Sequence, residues 1–82
     1  MCQAYILTNK VGRTYIGVSV NPTARLVQHN DGFSNWTRGK GPWTLDWTSK
    51  PMTLGAARKL ENLLKRQKGG AGLAKLKLLH GS

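Results

Sequence analysis

The chain has 82 residues, of which 13 are Lys or Arg and only three are Asp or Glu, so its formal net charge is +10. The single cysteine excludes an internal disulfide and favours a reducing compartment, and no apolar stretch approaches the length of a membrane span. We therefore expect one cytoplasmic domain, residues 1–82, with no membrane partner and with nucleic acid as the partner of its positive charge. A solvated basic surface without a partner is the alternative.

Two short segments near the N-terminus predict a β-hairpin, because both are rich in aromatic and branched residues and a run of turn residues separates them. This hairpin would place Tyr5 and Tyr15 on neighbouring strands. Gly17, inside the second strand, indicates a close backbone approach or a bend. The strands are expected at residues 3–8 and 13–19, with the turn at 9–12.

Capping residues predict two longer helices farther along the chain. Asn21 is a good N-cap and Pro22 suits the first helical position, so a helix is expected over residues 21–31, with a left-handed cap at its end. Thr53 can cap a second helix that ends near Lys68. A third strand at residues 43–49 and a short helix at 73–79 complete the order ββαβαα, which is an α+β fold.

Hydrophobic periodicity predicts which side chains of these elements form the core. Each helix is expected to bury one apolar stripe, and the third strand one apolar face. The predicted core residues are Ala24, Leu26 and Val27; Trp43, Leu45 and Trp47; Leu54, Ala57, Leu60, Leu63 and Leu64; and Leu73, Leu76 and Leu79.

The scarcity of acidic residues narrows the candidates for metal chemistry. Hydrolysis of a phosphodiester needs an activated water, a cation for the phosphoryl oxygens and help for the leaving oxygen. Asp31 is explained by the end of a helix, and Asp46 should point to solvent from its strand. Glu61 is then the candidate ligand for a hard cation such as Mg²⁺. An i,i+4 salt bridge to Lys65 explains Glu61 equally well.

Four further side chains could take part in phosphate chemistry. Arg25 and His29 are four residues apart and share a helix face, and His29 is a plausible proton acceptor. Tyr5 and Tyr15 are either core residues or functional ones. A phenol with a pKa of about 10 is a poor base unless nearby positive charge lowers that pKa. In the loop at residues 33–42, three residues could contact phosphates: Thr37, Arg38 and Lys40.

Together these residues resemble the GIY-YIG nuclease superfamily. The sequence Ala4-Tyr5-Ile6 is followed ten positions later by Tyr15-Ile16-Gly17, and then by Arg25, His29 and the isolated Glu61. Ala4 occupies the position of the first glycine in the family motif. The segments 15–22 and 38–43 are also similar to structure-specific endonucleases of the Slx1 type and to small stand-alone bacterial GIY-YIG proteins.

The resemblance, which covers residues 3–68, implies a three-stranded antiparallel sheet flanked by helices. It also implies a DNA endonuclease that hydrolyses phosphodiester bonds with one Mg²⁺ or Mn²⁺ ion. By matching positions, Glu61 would bind the metal, Arg25 the scissile phosphate, and Tyr5 and Tyr15 would flank the attacking water, one of them as the base. We favour Tyr5 as the base, with His29 relaying its proton. The loop residues Thr37, Arg38 and Lys40 would touch the DNA backbone.

The composition and the resemblance also lead to expectations for the substrate and the oligomeric state. Because few residues suggest base reading, we expect selection by DNA structure, such as branched, nicked or single-stranded DNA, as in DNA repair or recombination. RNA is the alternative substrate, and a monomer or weak dimer is expected. A non-catalytic nucleic-acid-binding module and a catalytic module of a longer homing or repair endonuclease are the alternative functions.

Overall fold

The computed structural model describes residues 1–31, 42–67 and 70–81. Three strands and three helices follow in the predicted order, so the α+β fold is confirmed. Among the helices of these ranges, none combines the length and apolarity needed to cross a membrane. The elements are β1 (Gln3–Thr8), β2 (Thr14–Ser19), α1 (Pro22–Asn30), β3 (Thr44–Thr48), α2 (Leu54–Arg66) and α3 (Gly70–His80).

The sheet is antiparallel, with β1 between β2 and β3. The predicted hairpin of β1 and β2 closes because the side chain of Asn9 accepts hydrogen bonds from the N–H groups of Val11 and Arg13, at 3.2 and 2.9 Å. In the same turn Gly12 has φ +81°, a left-handed conformation that glycine adopts without strain. The register places Tyr5 opposite Gly17 and Leu7 opposite Tyr15. The two tyrosines are therefore diagonal neighbours on one face of the sheet.

A register shift in β3 overturns one prediction about the core. Leu45 pairs with Leu7, and Trp47 pairs with Ile6. Between these two pairs β3 has one additional residue, Asp46, whereas β1 has none. Consecutive residues of a strand point to opposite faces, and the extra residue is a β-bulge. Leu45 therefore packs with Tyr5 and Leu7, whereas Trp47 packs with Ile6 on the other face. The expectation that Trp43, Leu45 and Trp47 share one face was wrong.

Helix α1 begins as predicted but buries different residues. The side chain of Asn21 accepts a hydrogen bond from the N–H of Ala24 at 3.1 Å, and Pro22 occupies the first turn. Asp31 is the C-cap, although in a right-handed rather than a left-handed conformation. The buried residues of this helix are Pro22 and His29. The expectation that Ala24 and Val27 pack inward was wrong, since both are exposed.

Helix α2 covers the face of the sheet opposite to α1. The Thr53 hydroxyl accepts a hydrogen bond from the N–H of Ala56 at 3.3 Å, which confirms the predicted cap. The buried residues are Ala57, Leu60 and Leu64, and the latter two pack with Ala4 and Ile6 of β1.

Two leucines at the margins of the predicted stripe of α2 are not core residues. Leu54 and Leu63 are 50% and 43% exposed, so their predicted burial was wrong. Leu54 begins the helix, where the chain is still leaving the turn, and Leu63 lies about a quarter of a turn from the stripe centred on Leu60 and Leu64.

Helix α3 packs only in part. Leu73 and Leu76 contact the aliphatic core as predicted, but Leu79 is 62% exposed, so its predicted burial was wrong. The end of the helix is held against β3, because Trp47 Nε1 donates to the carbonyl of Lys77 at 3.1 Å and the Lys77 amine pairs with Asp46 at 3.0 Å.

Candidate active site

Tyr5 lies at the centre of a buried polar group on the α1 face of the sheet. Its side chain is 1% exposed and lies across Gly17, its partner on β2. A Cβ atom on Gly17 would stand 2.7 Å from the Tyr5 hydroxyl and 2.8 Å from Cζ. Any other residue at this position would displace the phenol, so the predicted close approach at Gly17 is confirmed.

His29 reaches the same phenol from the last turn of α1. It is 1% exposed, and its Nε2 lies 3.1 Å from the hydroxyl oxygen of Tyr5. Burial, with a smaller contribution from the charge of Arg25, lowers the pKa of His29 below its usual 6.5. The imidazole is therefore neutral at pH 7, and in the tautomer with its proton on Nδ1 the Nε2 atom accepts the hydrogen bond of Tyr5.

Arg25, one turn before His29, contacts the same phenol from a half-buried position. Its guanidinium lies close enough to the Tyr5 phenol to lower the pKa of that group, and it donates to the side-chain oxygen of Gln28 at 2.6 Å. The bond to Gln28 holds the guanidinium on the Tyr5 side of the helix. Because Gln28 is exposed, the remaining N–H groups of Arg25 lie toward the surface, where a phosphate could approach.

The pKa of Tyr5 is raised above 10, contrary to the expectation from the basic composition. Burial is the largest cause, since it disfavours the charged phenolate, and the repulsion of a second phenolate at Tyr15 and of the Glu61 carboxylate adds to it. The hydrogen bond and charge of Arg25 act in the opposite direction and are outweighed. Tyr5 is therefore a protonated phenol at neutral pH.

Tyr15 differs from Tyr5 in its access to solvent. It is half-buried, and its ring centroid lies 4.6 Å from that of His29 and 6.2 Å from that of Tyr5. The three rings meet at tilted angles, which is the arrangement that aromatic groups prefer. Tyr15 is thus the phenol of the cluster that a water molecule or substrate can reach from the surface.

Glu61 of α2 forms the ion pair that its sequence position allowed, and its role as a metal ligand stays a prediction. Its carboxylate pairs with Lys65 at 3.0 Å, which confirms the i,i+4 salt bridge. The same carboxylate lies close enough to Tyr5 for its charge to help raise the pKa of that phenol. Its side chain is 19% exposed, whereas Lys65 is 53% exposed, so solvent or an ion can still reach the pair.

The donor set around Glu61 fits one hydrated hard cation. Across residues 1–31, 42–67 and 70–81, no three His, Cys, Asp or Glu side chains gather in a group that could hold a metal ion. Asp31 is exposed at the C-cap of α1, where its backbone N–H bonds to the helix, and the Asp46 carboxylate pairs with Lys77. Mg²⁺ commonly binds proteins through one or two carboxylates and keeps several waters. A single carboxylate at the surface of a polar cluster suits this mode.

The sequence-predicted residues Tyr5, Tyr15, Arg25 and His29 are thus brought together, with Glu61 beside them. The predicted phosphate contacts Thr37, Arg38 and Lys40 lie outside the described residues and stay predictions.

Two supporting residues were missed at the sequence level. Gln28 orients Arg25, and its spacing of three residues on the same helix was a usable signal. The side chain of Asn30 makes two hydrogen bonds with the backbone of Trp43, at 2.6 and 3.1 Å. These bonds tie the His29 end of α1 to the start of β3, and nothing local in the sequence indicates them.

Comparison with known proteins identifies the same family that the sequence motifs resemble. Residues 1–74 match the family model of the GIY-YIG catalytic domain. A UPF0213 protein of Aeromonas hydrophila is 44% identical over 64 residues, which cover 77% of this chain and 47% of that protein. The putative GIY-YIG domain-containing protein 242L of Invertebrate iridescent virus 6 is 38% identical over 76 residues, 90% of this chain and 77% of the viral protein.

A third relative carries an explicit activity in its name. The structure-specific endonuclease subunit slx1 of Xenopus laevis is 50% identical over 38 residues, which are 42% of this chain and 14% of that protein. The chain spans about half the length of the Aeromonas relatives, 47%. No solved structure matches. The Slx1 relatives support a nuclease-type function, and because the family model covers nearly the whole chain, the protein belongs to the GIY-YIG catalytic domain family.

Proposed function

We propose that this protein is a divalent-metal-dependent DNA endonuclease that hydrolyses phosphodiester bonds and selects its substrate by structure. The observation that carries the proposal is the convergence on one buried phenol. The Tyr5 hydroxyl bonds to His29, and the charges of Arg25 and Glu61 act on its pKa in opposite directions. A cation and a neutral imidazole from α1 and a carboxylate from α2 thus all influence one phenol of the sheet.

Arg25 would bind the scissile phosphate. Its contacts with Tyr5 and Gln28 hold the guanidinium in place before a substrate arrives. A preorganised guanidinium stabilises the negative charge that develops on the phosphoryl oxygens in the transition state.

Tyr15, rather than Tyr5, would contact the attacking water. The favoured assignment of Tyr5 as the base does not suit a phenol that is 1% exposed and whose pKa is raised. Tyr5 would instead position Arg25 and His29, whereas the half-buried Tyr15 reaches the surface.

Glu61 would hold the Mg²⁺ or Mn²⁺ ion. Such an ion, when bound, supplies Lewis-acid stabilisation of charge on the phosphoryl and leaving oxygens. Binding has to compete with the Lys65 amine, which is an exposed partner and therefore a weak one.

The excess of Lys and Arg suits a polyanion such as DNA, and it suits recognition of DNA structure rather than of base sequence. Lys and Arg contacts to phosphates position a duplex without reading its sequence. A role in DNA repair or recombination follows from such selection, and RNA is the competing substrate.

Purified protein incubated with fluorescent branched, nicked, duplex and single-stranded DNA, and with single-stranded RNA, tests this proposal. We expect DNA products with Mg²⁺ or Mn²⁺ and none with EDTA. A gel shift without products would establish the alternative, a non-catalytic binder, which the Glu61–Lys65 ion pair favours. Tyr15→Phe should slow cleavage more than Tyr5→Phe, and the reverse order would return the role of base to Tyr5.

A further inference from the structure

A groove of about 420 Å³ adjoins the candidate active site on the free edge of the sheet. One wall is the start of β2, an edge strand, with Thr14 and Tyr15. The opposite wall includes Lys65 of α2. Tyr15 belongs to the aromatic cluster and Lys65 is the ion-pair partner of Glu61. The groove is therefore continuous with the site at two points.

Apolar and polar side chains both line the groove. Ile16, Leu64 and Leu73 are the aliphatic ones, and all three belong to or pack against the aliphatic core. Thr14 and Gln67 add uncharged polar groups. The Gln67 amide donates to the carbonyl of Leu63 at 3.0 Å, so this side chain has a fixed direction.

We propose that this groove binds one unpaired nucleotide of the DNA strand that is cut, next to the scissile phosphate. This inference rests on the proposed nuclease function and specifies its substrate class. The planar base would lie between the apolar walls, and the adjoining phosphate would meet Lys65. Among the described residues that line the groove, Lys65 is the only charged one, and its amine also pairs with Glu61 at 3.0 Å, so a cation held by Glu61 would leave this amine for the phosphate.

The size of the groove argues for one nucleotide and against a duplex. Its volume falls at the small end of the range for small-molecule pockets. A base inside a duplex is stacked and paired, and it can enter such a groove only after being flipped out of the helix, which costs unstacking and unpairing energy. An unpaired base in a single strand, a flap or a branch point enters without that cost. The groove therefore favours substrates with unpaired nucleotides beside the cleavage point.

The first test uses the unaltered protein and altered DNA. A single-stranded flap substrate is prepared with an abasic site at each position around the cleaved bond, and kcat/KM is measured for each. We expect one position adjacent to the cleaved bond at which loss of the base lowers kcat/KM about tenfold, and much smaller effects elsewhere.

The second test fills the groove. Thr14 is exposed on an edge strand, so Thr14→Trp should occupy the groove without disturbing the core. Thr44→Trp makes the same change on β3, the opposite edge of the sheet, and serves as the control. We expect Thr14→Trp to lower kcat/KM on the flap about tenfold and to lose sensitivity to the abasic position. Thr44→Trp should stay within about twofold of the unaltered protein.

The outcomes separate this inference from the function on which it rests. If no DNA is cut with metal present, the proposed nuclease function fails. If DNA is cut but every abasic position and both tryptophan variants behave alike, the groove inference is overturned and the nuclease function remains. Equal cleavage of flap and intact duplex would also overturn the groove inference. Circular dichroism melting of both variants confirms that the comparison is between folded proteins.

Discussion

On one face of the sheet, Ala4 and Ile6 of β1 pack against Leu60 and Leu64, and the contacts are aliphatic. On the other face, the alternate residues of the same strand pack very differently. There the Tyr5 hydroxyl bonds to a buried His29, and Arg25 lies close enough to lower the pKa of the phenol. One strand of six residues thus contributes both to an apolar core and to a polar cluster.

The two faces have different roles: the aliphatic face stabilises the fold, and the polar face holds the candidate active site. Aliphatic burial stabilises the fold in proportion to the apolar area removed from water. Buried polar groups cost free energy unless each has a partner, and they add little even then. In the part of the chain that the structure describes, no buried side-chain nitrogen or oxygen lacks a hydrogen-bond partner. Substitutions on the aliphatic face should therefore change stability, and those at the polar cluster should change activity.

The largest effect is expected from Glu61→Gln. The change removes the candidate metal carboxylate, so cleavage should fall by about 100-fold or more, while DNA binding stays equal or tightens because a negative charge is lost. The free energy of unfolding should change by less than about 0.5 kcal/mol, because the pair with Lys65 is exposed on one side. Cleavage assays, gel shifts and urea titrations measure these quantities.

Asp46→Asn is the matched control, since it removes the same charge from a second lysine pair. Normal cleavage by the Glu61 variant, or an equal loss in both variants, would remove the metal-binding role.

On the aliphatic face, Leu64→Ala should destabilise the fold by about 2–5 kcal/mol, because it leaves a cavity beneath α2. Leu63→Ala, one residue away and 43% exposed, should change the free energy of unfolding by less than about 0.5 kcal/mol. Urea denaturation measures both. At a temperature where the Leu64 variant remains folded, its cleavage rate should fall by no more than about tenfold, the effect expected of the groove that Leu64 lines, and far less than in the Glu61 variant. A stable but inactive Leu64 variant would contradict the division between the faces.

Gly17→Ala should lower both the stability of the fold and the rate of cleavage. The new Cβ would displace the Tyr5 phenol, so we expect a loss of about 1–3 kcal/mol in stability and slower cleavage as Arg25 and His29 lose their common partner. Gly55 has open space around it on α2, and Gly55→Ala should instead stabilise the protein by about 0.5–1 kcal/mol. Unchanged activity in the Gly17 variant would show that the position of the phenol is unimportant.

The smallest expected effect is a dependence of stability on pH. Since the pKa of His29 is lowered in the folded protein, the unfolded chain binds more protons just below pH 6.5. The stabilising contribution of neutral His29 is complete above pH 6.5 and is lost as the pH falls toward the lowered pKa. Urea titrations across this range should show the loss. His29→Gln should flatten the curve, and a pH dependence that persists in this variant would contradict burial of a neutral imidazole.

The order of the elements, the hairpin turn and both N-caps could be predicted from the sequence alone. These features depend on side chains acting on their own backbone or on residues a few positions away, as Asn9, Asn21 and Thr53 do. The sequence also singled out the site residues, because the chain has so few acids and because its motifs resemble the GIY-YIG family. Their catalytic roles stay predictions.

Which of the predicted positions are buried, and in which direction burial moves their pKa values, depends on contacts between elements that are distant in sequence. The bulge that separates Leu45 from Trp47 arises from pairing with β1, and local alternation does not reveal it. The contrast between a buried Tyr5 and a half-buried Tyr15 depends on how α1 packs over the sheet. Desolvation raises the pKa of Tyr5 and lowers that of His29. The neighbours that desolvate these groups are distant in sequence, so composition does not reveal the shifts.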